Sequence, residues 1–322
     1  MKISYKISIL FFTALFVVSC SNDSNPKDEE TKDDFSYLAV TSSGEINKIG
    51  NNSGKITAYA QFDNVKTSTI NPGTIVSNSE KIFLTEHYPP EDKLFVFDKS
   101  SKTTTSKTLV YPKEIKGDEP TISSLTWDDN QKILYGIVIG FPYLGTFANN
   151  SFLVKIDPTT FEVTYLGLNF DQTVSLSTFI NNTKLYSSSR TETFEIDLEN
   201  YSAKKILVNN ANFTFSHAAV YSTNTVYCLK NKAGETGVTI SKVNLTDNTS
   251  EDFLANESLG IMLPNGAGFI DKATNEYVCY MLKDGFFELV KFNLSTKTYK
   301  HIKLTSDKSV NNSLFIVDKV NN

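Results

Sequence analysis

The sequence predicts an all-β protein built from six copies of one repeat, and three observations support this. Short apolar-rich runs of strand length alternate with turn residues, and none is long or periodic enough for a helix. The same residue types recur at the same places in each copy, and the two ends of the chain hold complementary parts of one repeat. The third copy shows all four runs, at residues 122–127, 132–136, 152–157 and 161–166, which we label strands a, b, c and d.

Three columns of the repeat hold one kind of residue. Strand a carries a small residue at Gly73, Ser124, Ser177, Ala218, Ala267 and Ser313, followed three positions later by a bulky apolar one. Strand b carries a small residue at Ala39, Thr85, Gly136, Ser187, Cys228 and Cys279. Strand c ends at Asp98, Asp157, Asp197, Asn244 and Asn293, with Gly50 in the first copy. Asp and Asn side chains bond the backbone just ahead of them, so this column predicts a tight c–d turn.

The spacing and the chain ends together predict a closed ring. Successive copies lie between 41 residues (Ser187 to Cys228) and 53 residues (Ser124 to Ser177) apart, and four antiparallel strands per repeat of that length are typical of β-propellers. The first copy lacks strand a, which appears instead at residues 312–317. We therefore predict a six-bladed β-propeller of four-stranded antiparallel blades over residues 35–322, closed by a C-terminal strand that pairs with the N-terminal blade. An open β-solenoid or a two-sheet sandwich is the alternative, but neither explains the displaced strand.

This pattern resembles the six-bladed propellers of the YVTN-type and gluconolactonase-like (SMP-30-like) repeat families, over roughly residues 35–322. The resemblance implies a metal on the ring axis held by carboxylates and amides. The sequence contains no constellation that matches, so neither a metal nor another cofactor is predicted. His87, His217 and His301 have no neighbour at metal-ligand spacing, and neither a nucleophile elbow nor a phosphate loop occurs. The sequence therefore predicts no catalytic residue.

The first residues of the chain predict export and lipid attachment. Residues 1–19 hold two lysines followed by an apolar run, as in a signal peptide, and the run is too short to span a bilayer. Residues 17–20 resemble a bacterial lipobox, which implies cleavage before Cys20 and lipidation of its thiol. Two or three acyl chains give stable membrane anchoring where one chain does not. An ordinary secretory signal with a coincidental cysteine is the alternative.

Residues 20–34 are predicted to be a disordered, acidic tether, because residues 21–34 contain no apolar side chain except Pro26. An acidic stretch just after the lipidated cysteine also resembles the export signal of Bacteroidota-type surface lipoproteins, although Lys27 interrupts it. A tether that is merely solvated is the alternative. The predicted location is the outer membrane, with the protein lipid-anchored on its periplasmic or cell-surface side.

The remaining composition argues against nucleic acid as a partner and against a disulfide. The formal net charge is −5 and Arg190 is the single arginine, so no basic face is expected. Cys228 and Cys279 occupy the same column of adjacent blades, roughly 10 Å apart by the usual sheet-packing distance. A disulfide requires Cα atoms within about 7 Å, so we predict two small buried residues.

A partner-binding site is predicted where the b–c loops emerge, because rigid blades support the loops at that end of a propeller. The third blade has the longest stretch between its strand-b and strand-c columns, at 21 residues against 10 to 16 in the other copies. It carries Phe141, Tyr143 and Phe147, and the adjacent b–c loop carries His87 and Tyr88. Aromatic residues on neighbouring loops suit stacking on sugar rings or anchoring a protein. Packing of the long loop back onto the ring is the alternative.

A second candidate site is the mouth of the central channel. His217 lies one residue before the small column of strand a, and Arg190 lies in the b–c loop of the fourth blade. Three amides occur at or next to the position equivalent to His217, at Asn71, Asn265 and Asn312. Such a set suits an anion or a polar ligand, and a hydrated polar plug without a ligand is the alternative.

These features favour a non-catalytic, membrane-anchored binding or scaffold module for a protein or glycan partner. One alternative is a metal-dependent lactonase- or lyase-like enzyme with an axial site, in which His217 is the general base and Glu86 or Glu119 is the acid or metal partner. Another is a structural subunit of a surface complex. The fold alone does not choose among them, because propellers carry many unrelated functions.

Overall fold

A computed structural model describes residues 31–66, 72–88, 90–117, 119–141, 150–174, 177–231, 238–253, 261–262, 268–306 and 314–321. Its secondary-structure elements lie within one compact unit, Lys32–Asn322, and apart from one short 3-10 helix they are all β-strands. The strands form six antiparallel sheets, which are the blades of the ring. The predicted fold class is confirmed. Residues 1–30, including Cys20, lie outside the described residues.

The first three blades each contain four strands. Blade 1 consists of β1 (Phe35–Thr41), β2 (Glu45–Gly50), β3 (Ile56–Gln61) and the last strand of the chain, β26 (Leu314–Asn321). Blade 2 begins with a 3-10 helix (Pro72–Thr74) and contains β4 (Ile75–Ser77), β5 (Lys81–Tyr88), β6 (Glu91–Asp98) and β7 (Thr103–Thr108). Blade 3 contains β8 (Glu119–Asp128), β9 (Ile133–Phe141), β10 (Ser151–Ile156) and β11 (Val163–Phe170).

Blade 5 keeps this plan, whereas blades 4 and 6 each contain five strands. Blade 4 contains β12 (Ser177–Asn181), β13 (Lys184–Ser188), β14 (Thr193–Asp197), β15 (Ala203–Val208) and a short fifth strand, β16 (Ala211–Asn212). Blade 5 contains β17 (Ala219–Ser222), β18 (Thr225–Asn231), β19 (Val238–Asn244) and β20 (Thr249–Asp252). Blade 6 contains β21 (Ile261–Met262), β22 (Phe269–Asp271), β23 (Glu276–Lys283), β24 (Phe286–Asn293) and β25 (Thr298–Lys303), with both β21 and β22 paired to β23.

The ring closes as the displaced strand predicts. β26 pairs antiparallel with β1, from Phe35 opposite Asn321 to Thr41 opposite Leu314. Ion pairs hold β26 on both sides, because Asp318 meets Lys99 of blade 2 and Lys319 lies 2.9 Å from the buried carboxylate of Asp271 in blade 6. A closed ring leaves no open sheet edge at this position, where a free edge would promote aggregation.

Apolar packing between neighbouring blades forms the core. Six hydrophobic clusters each join one blade to the next around the ring, including blade 6 to blade 1. On β1, Leu38 and Val40 pack towards blade 2, whereas Tyr37 and Ala39 pack towards blade 6. Successive side chains of a strand point to opposite faces, so a strand that is buried at every position, as β1 is, fills two interfaces.

The predicted turns and cysteines are confirmed. The side-chain oxygens of the strand-c column accept backbone N–H bonds from residues two or three positions ahead, at Asp98, Asp157, Asp197, Asn244 and Asn293. Asp128 makes the same turn between β8 and β9. Cys228 and Cys279 are buried free thiols in two different interface clusters.

The two faces of the ring follow from the strand order. We call the end with the b–c and d–a connections the upper face, and it includes the tips of the β5–β6 and β23–β24 hairpins. The end with the a–b and c–d turns is the lower face, and it includes residues 51–55 and 99–102. Within the described residues, no helix is long and apolar enough to span a membrane.

Candidate functional site

The β5–β6 hairpin brings His87 to the upper face. Its strands pair in register, so that His87 lies opposite Asp92 and Tyr88 lies opposite Glu91. Residues 82–86 of β5 are buried, whereas His87 is half-buried and Tyr88 is exposed. The apolar part of the strand therefore anchors the hairpin in the ring and leaves its last two residues at the rim.

A buried carboxylate organises this part of the rim. Asp92 is 1% exposed, and its oxygens receive four hydrogen bonds. Oδ1 lies 2.5 Å from Nδ1 of His87 and accepts from the hydroxyl of Thr121 at 3.0 Å. Oδ2 accepts from the backbone N–H of Ile122 at 2.7 Å and from the phenol of Tyr111. Four hydrogen bonds use the acceptor capacity of a carboxylate, so Asp92 ties β5, β8 and the β7–β8 connection together.

The hydrogen bond to Asp92 determines the protonation of His87. It raises the pKa of the His87 imidazole; burial opposes the shift, and the negative charges of Asp92 and Glu119 add to it. The Nδ1 atom therefore carries a proton towards Asp92. The Nε2 atom has no hydrogen-bond partner among the described residues, and 27% of the side chain is exposed. The Nε2 atom is a donor when the ring is protonated and an acceptor when it is neutral.

Two exposed aromatic rings lie at the tips of upper-face hairpins. Tyr88 is 53% exposed, and Lys66 Nζ lies 5.1 Å from its ring centroid. Phe286, the first residue of β24, is 51% exposed, and Lys303 Nζ lies 3.5 Å from its ring centroid. The two rings belong to blades 2 and 6, which flank blade 1. Tyr88 was predicted from the sequence as a binding residue, whereas Phe286, which follows Asp284 and Gly285 in a tight turn, was not.

Residues 142–149 of the long b–c loop of blade 3, which include Tyr143 and Phe147, lie outside the described residues. Phe141 is the last residue of β9 and pairs in register with Glu119 of β8. The aromatic site proposed for this loop stays a prediction.

Two of the predicted channel-mouth residues, His217 and Arg190, lie within the described residues. His217 is 2% exposed and has a positive φ of 51°. Its Nδ1 atom lies 2.9 Å from the hydroxyl of Ser216, its carbonyl accepts from the phenol of Tyr277 at 2.8 Å, and its Nε2 atom has no partner in the described part of the chain. Burial lowers the pKa of His217 to about 4. Arg190 is exposed between β13 and β14, and Asn71, Asn265 and Asn312 lie outside the described residues.

A cavity of about 460 Å³ opens where strands a of blades 2 to 6 converge, towards the a–b turns. Its lining includes four of the bulky apolar residues that lie three positions after the small residue of strand a, namely Val76, Trp127, Ile180 and Ile270. The lining does not include His217. Trp127 stacks on Phe83 with ring centroids 5.2 Å apart and also lines the cavity. The lower end of the channel is therefore mainly apolar.

The start of strand a differs from the sequence alignment in two blades. Gly73 lies in the 3-10 helix before β4, and Ala218 precedes β17, which begins at Ala219. The left-handed backbone at His217 explains the later start in blade 5, because that conformation does not continue a strand. His217 thus belongs to the connection before the strand, and its ring is not presented to the cavity.

An axial metal does not fit the residues that the structure describes. No group of three His, Cys, Asp or Glu side chains in those residues is placed to hold an ion. The residues named for the enzymatic alternative are dispersed: Glu86 belongs to blade 2, where it accepts the Lys66 N–H at 2.6 Å, Glu119 begins β8, and His217 lies before β17 in blade 5.

Comparison with known proteins gives the fold and no family. No family model matches the sequence, and no curated protein matches it. Among solved structures, TolB from Acinetobacter baumannii is similar with a TM-score of 0.58 and 9% identity, over 87% of this chain and 65% of the TolB chain. An oligogalacturonate lyase in complex with manganese is similar with a TM-score of 0.53 and 12% identity, over 85% of this chain and 77% of that one. At such identities the likeness concerns the fold alone.

Proposed function

We propose that this protein is a membrane-anchored extracytoplasmic lipoprotein whose upper face binds a protein or glycan partner. The lipobox-like sequence that ends at Cys20 supports the anchor and the outer-membrane location. The observation that carries the binding role is the rim of blade 2, where one hairpin tip presents the exposed ring of Tyr88 and, on the opposite face of the strand, an imidazole held by buried Asp92. An exposed aromatic group is a typical contact centre, and a pre-oriented polar group at the same tip adds a directional hydrogen bond.

The second exposed ring extends this surface. Phe286 in blade 6 presents the same combination as Tyr88 in blade 2, an aromatic ring with a lysine ammonium over its face. Exposed aromatic faces accept sugar rings or apolar side chains, and the lysines add donors for hydroxyl or acidic groups. The interface clusters hold the two hairpins in place, so little conformational entropy is lost on binding.

The test is capture of a partner by the purified full chain. Immobilised protein is probed with a panel of glycans and with cross-linked cell-envelope proteins, and the variants Tyr88→Ala and Phe286→Ala are compared with wild type. Truncating an aromatic contact centre costs about 2 kcal/mol, or roughly thirtyfold in affinity, and we expect such a loss without a lower melting temperature. Leu207→Ala, at an exposed apolar residue of outer strand β15, is the matched control. Unchanged capture by both aromatic variants would contradict the proposal.

The His87–Asp92 pair specifically favours one alternative, an enzyme of the lactonase or lyase kind. A neutral Nε2 atom, with Nδ1 bonded to a carboxylate, has the geometry of a general base. This alternative moves the acid–base group from His217 on the axis to His87 on the rim. His87→Gln would then abolish turnover of lactones or uronate-containing oligosaccharides, whereas Tyr88→Ala would mainly raise KM. Absence of turnover by the wild-type protein on both substrate classes would remove it.

A further inference from the structure

The lower face carries the same c–d turn in all six blades, and the turn of blade 1 is the one that is built differently. Blade 2 shows the standard form, in which Oδ1 of Asp98 accepts the N–H groups of Ser100 and Ser101, both at 2.9 Å. Lys102 then closes the turn with a φ of 56° and an N–H bond to the Asp98 carbonyl at 2.9 Å. The side-chain oxygen thus satisfies the amides two and three positions after the end of strand c.

Blade 1 has Gly50 at this position, so the turn contains no such oxygen of its own. Its backbone is nevertheless the same, because Gly54 has a φ of 67° and donates to the Gly50 carbonyl at 3.1 Å. The amides of Asn52 and Ser53 are again the ones two and three positions ahead. They donate to Oδ1 of Asp33, at 2.7 and 2.8 Å, and the Ser53 hydroxyl donates to Oδ2 at 2.5 Å.

The carboxylate of Asp33 fills the space beside Gly50. Gly50 does not have a positive φ, so the backbone there does not require glycine. A Cβ atom at this position would collide with the carboxylate of Asp33 and the hydroxyl of Ser53. A side chain at residue 50 and the carboxylate of Asp33 therefore compete for one place.

Neighbouring bonds extend the contact over three residues. The backbone N–H of Asp34 donates to Oδ1 of buried Asn51 at 2.9 Å, and Nδ2 of Asn52 donates to the carbonyl of Lys32 at 3.1 Å. Hydrogen bonds from the Ser53 hydroxyl and the Ser53 and Asn52 amides, with the charge of Lys55, lower the pKa of Asp33 although burial opposes this. The carboxylate is therefore charged at neutral pH, and its contribution is lost as the pH falls through that lowered pKa.

We propose that the β2–β3 turn is an intramolecular docking site for residues 32–34, with Asp33 supplying from a distant position the carboxylate that Gly50 lacks. The docked segment leaves the ring at the lower face, beside the start of β1. Its biological meaning rests on the proposed function, because attachment at the lower face leaves the upper face open to a partner. The last residues assigned by sequence to a disordered tether are thus part of the propeller.

Amide hydrogen exchange on the full-length chain tests the docking site, with Asp33→Ala as the disrupting variant and Asp98→Ala as its matched control. We expect Asp33→Ala to speed exchange at Asn52 and Ser53 by about tenfold, the value of one lost hydrogen bond, and to leave Ser100 and Ser101 unchanged. Asp98→Ala should do the reverse. Tryptic cleavage after Lys32 should rise in Asp33→Ala only.

A transplanted side chain separates docking from simple turn stability. In the double variant Asp33→Ala/Gly50→Asp, the turn regains a local carboxylate, so exchange at Asn52 and Ser53 should slow again while cleavage after Lys32 stays fast. Unchanged exchange at Asn52 and Ser53 in Asp33→Ala, or unchanged cleavage after Lys32, would overturn the proposal. Partner capture by the upper face is scored separately, so a failure of the binding role leaves these readouts intact.

Discussion

Two histidines of one ring, His87 on the rim and His217 near the axis, have opposite environments. His87 is half-buried and paired with a carboxylate that accepts four hydrogen bonds, and its pKa is raised. His217 is buried with no charged partner among the described residues, and burial lowers its pKa to about 4. Sequence analysis gave the axial residue the acid–base role in the enzymatic alternative. Of these two histidines, His87 is the one that lies against a carboxylate and is partly exposed.

The difference arises from what surrounds each ring. Burial disfavours a charged imidazole, whereas a nearby carboxylate favours it. His87 receives its carboxylate from the paired position of the same hairpin. The described hydrogen bonds of His217 come from neutral groups, the Ser216 hydroxyl and the Tyr277 phenol. A histidine near the axis of a propeller is therefore no evidence for a ligand site unless a polar partner faces it.

The largest expected effect comes from removing the negative charge of Asp92, which holds the His87 ring and raises its pKa. Asp92→Asn replaces two acceptor directions by an N–H₂ group that faces the donors of Tyr111, Thr121 or Ile122. Breaking a buried ion pair in this way destabilises a protein by about 3–5 kcal/mol. Urea unfolding at pH 7 measures this loss.

The control for this variant is Asp98→Asn. Asp98 caps a c–d turn at the exposed surface, and Asn occupies the same column in blades 5 and 6. Its free energy of unfolding should stay close to that of wild type, because a substitution at an exposed turn that keeps the capping oxygen has little effect. Equal losses in the two variants would show that Asp92 does not organise the rim.

The next effect is the acid sensitivity contributed by His217. The unfolded chain binds a proton at this residue below pH 6.5, and the folded chain does so only near pH 4. Stability should therefore fall as the pH drops from 6.5 towards 4, by about 3 kcal/mol for a shift of this size. His217→Asn, which retains a residue suited to positive φ, should reduce the difference in unfolding free energy between pH 7 and pH 4.5. An unchanged difference would contradict the burial of a neutral imidazole.

The fold was predictable because its determinants are local and repeated. The column Asp98, Asp157 and Asp197 shows the period, and each residue acts on amides two or three positions away. The missing strand a at the start of the chain and its counterpart at 312–317 predict closure without any knowledge of contacts. The onset of strand a was less predictable, since the left-handed backbone at His217 depends on the packing of Gly268 and Tyr277 against its carbonyl.

The site was predictable only in part, because its key contacts join distant parts of the chain. His87 and Tyr88 stand out as polar and aromatic residues at a hairpin tip. Nothing in the sequence links Asp92 to Tyr111 and Thr121, which lie 19 and 29 residues away. The sequence shows that Gly50 lacks the side-chain oxygen that the other residues of the strand-c column carry. It does not show that Asp33 supplies this oxygen, because Asp33 lies in a segment with the composition of a tether.

The central claim is that His87 on the rim is accessible and paired with a carboxylate whereas His217 is buried and neutral, and histidine-selective NMR tests it most directly. The Cε1–H signals of His87, His217 and His301 are assigned with single His→Gln variants and followed from pH 5 to pH 9. We predict that His87 titrates above pH 6.5 and that His217 does not titrate in this range. Titration of His217 near pH 6.5, with His87 at or below that value, would contradict the account.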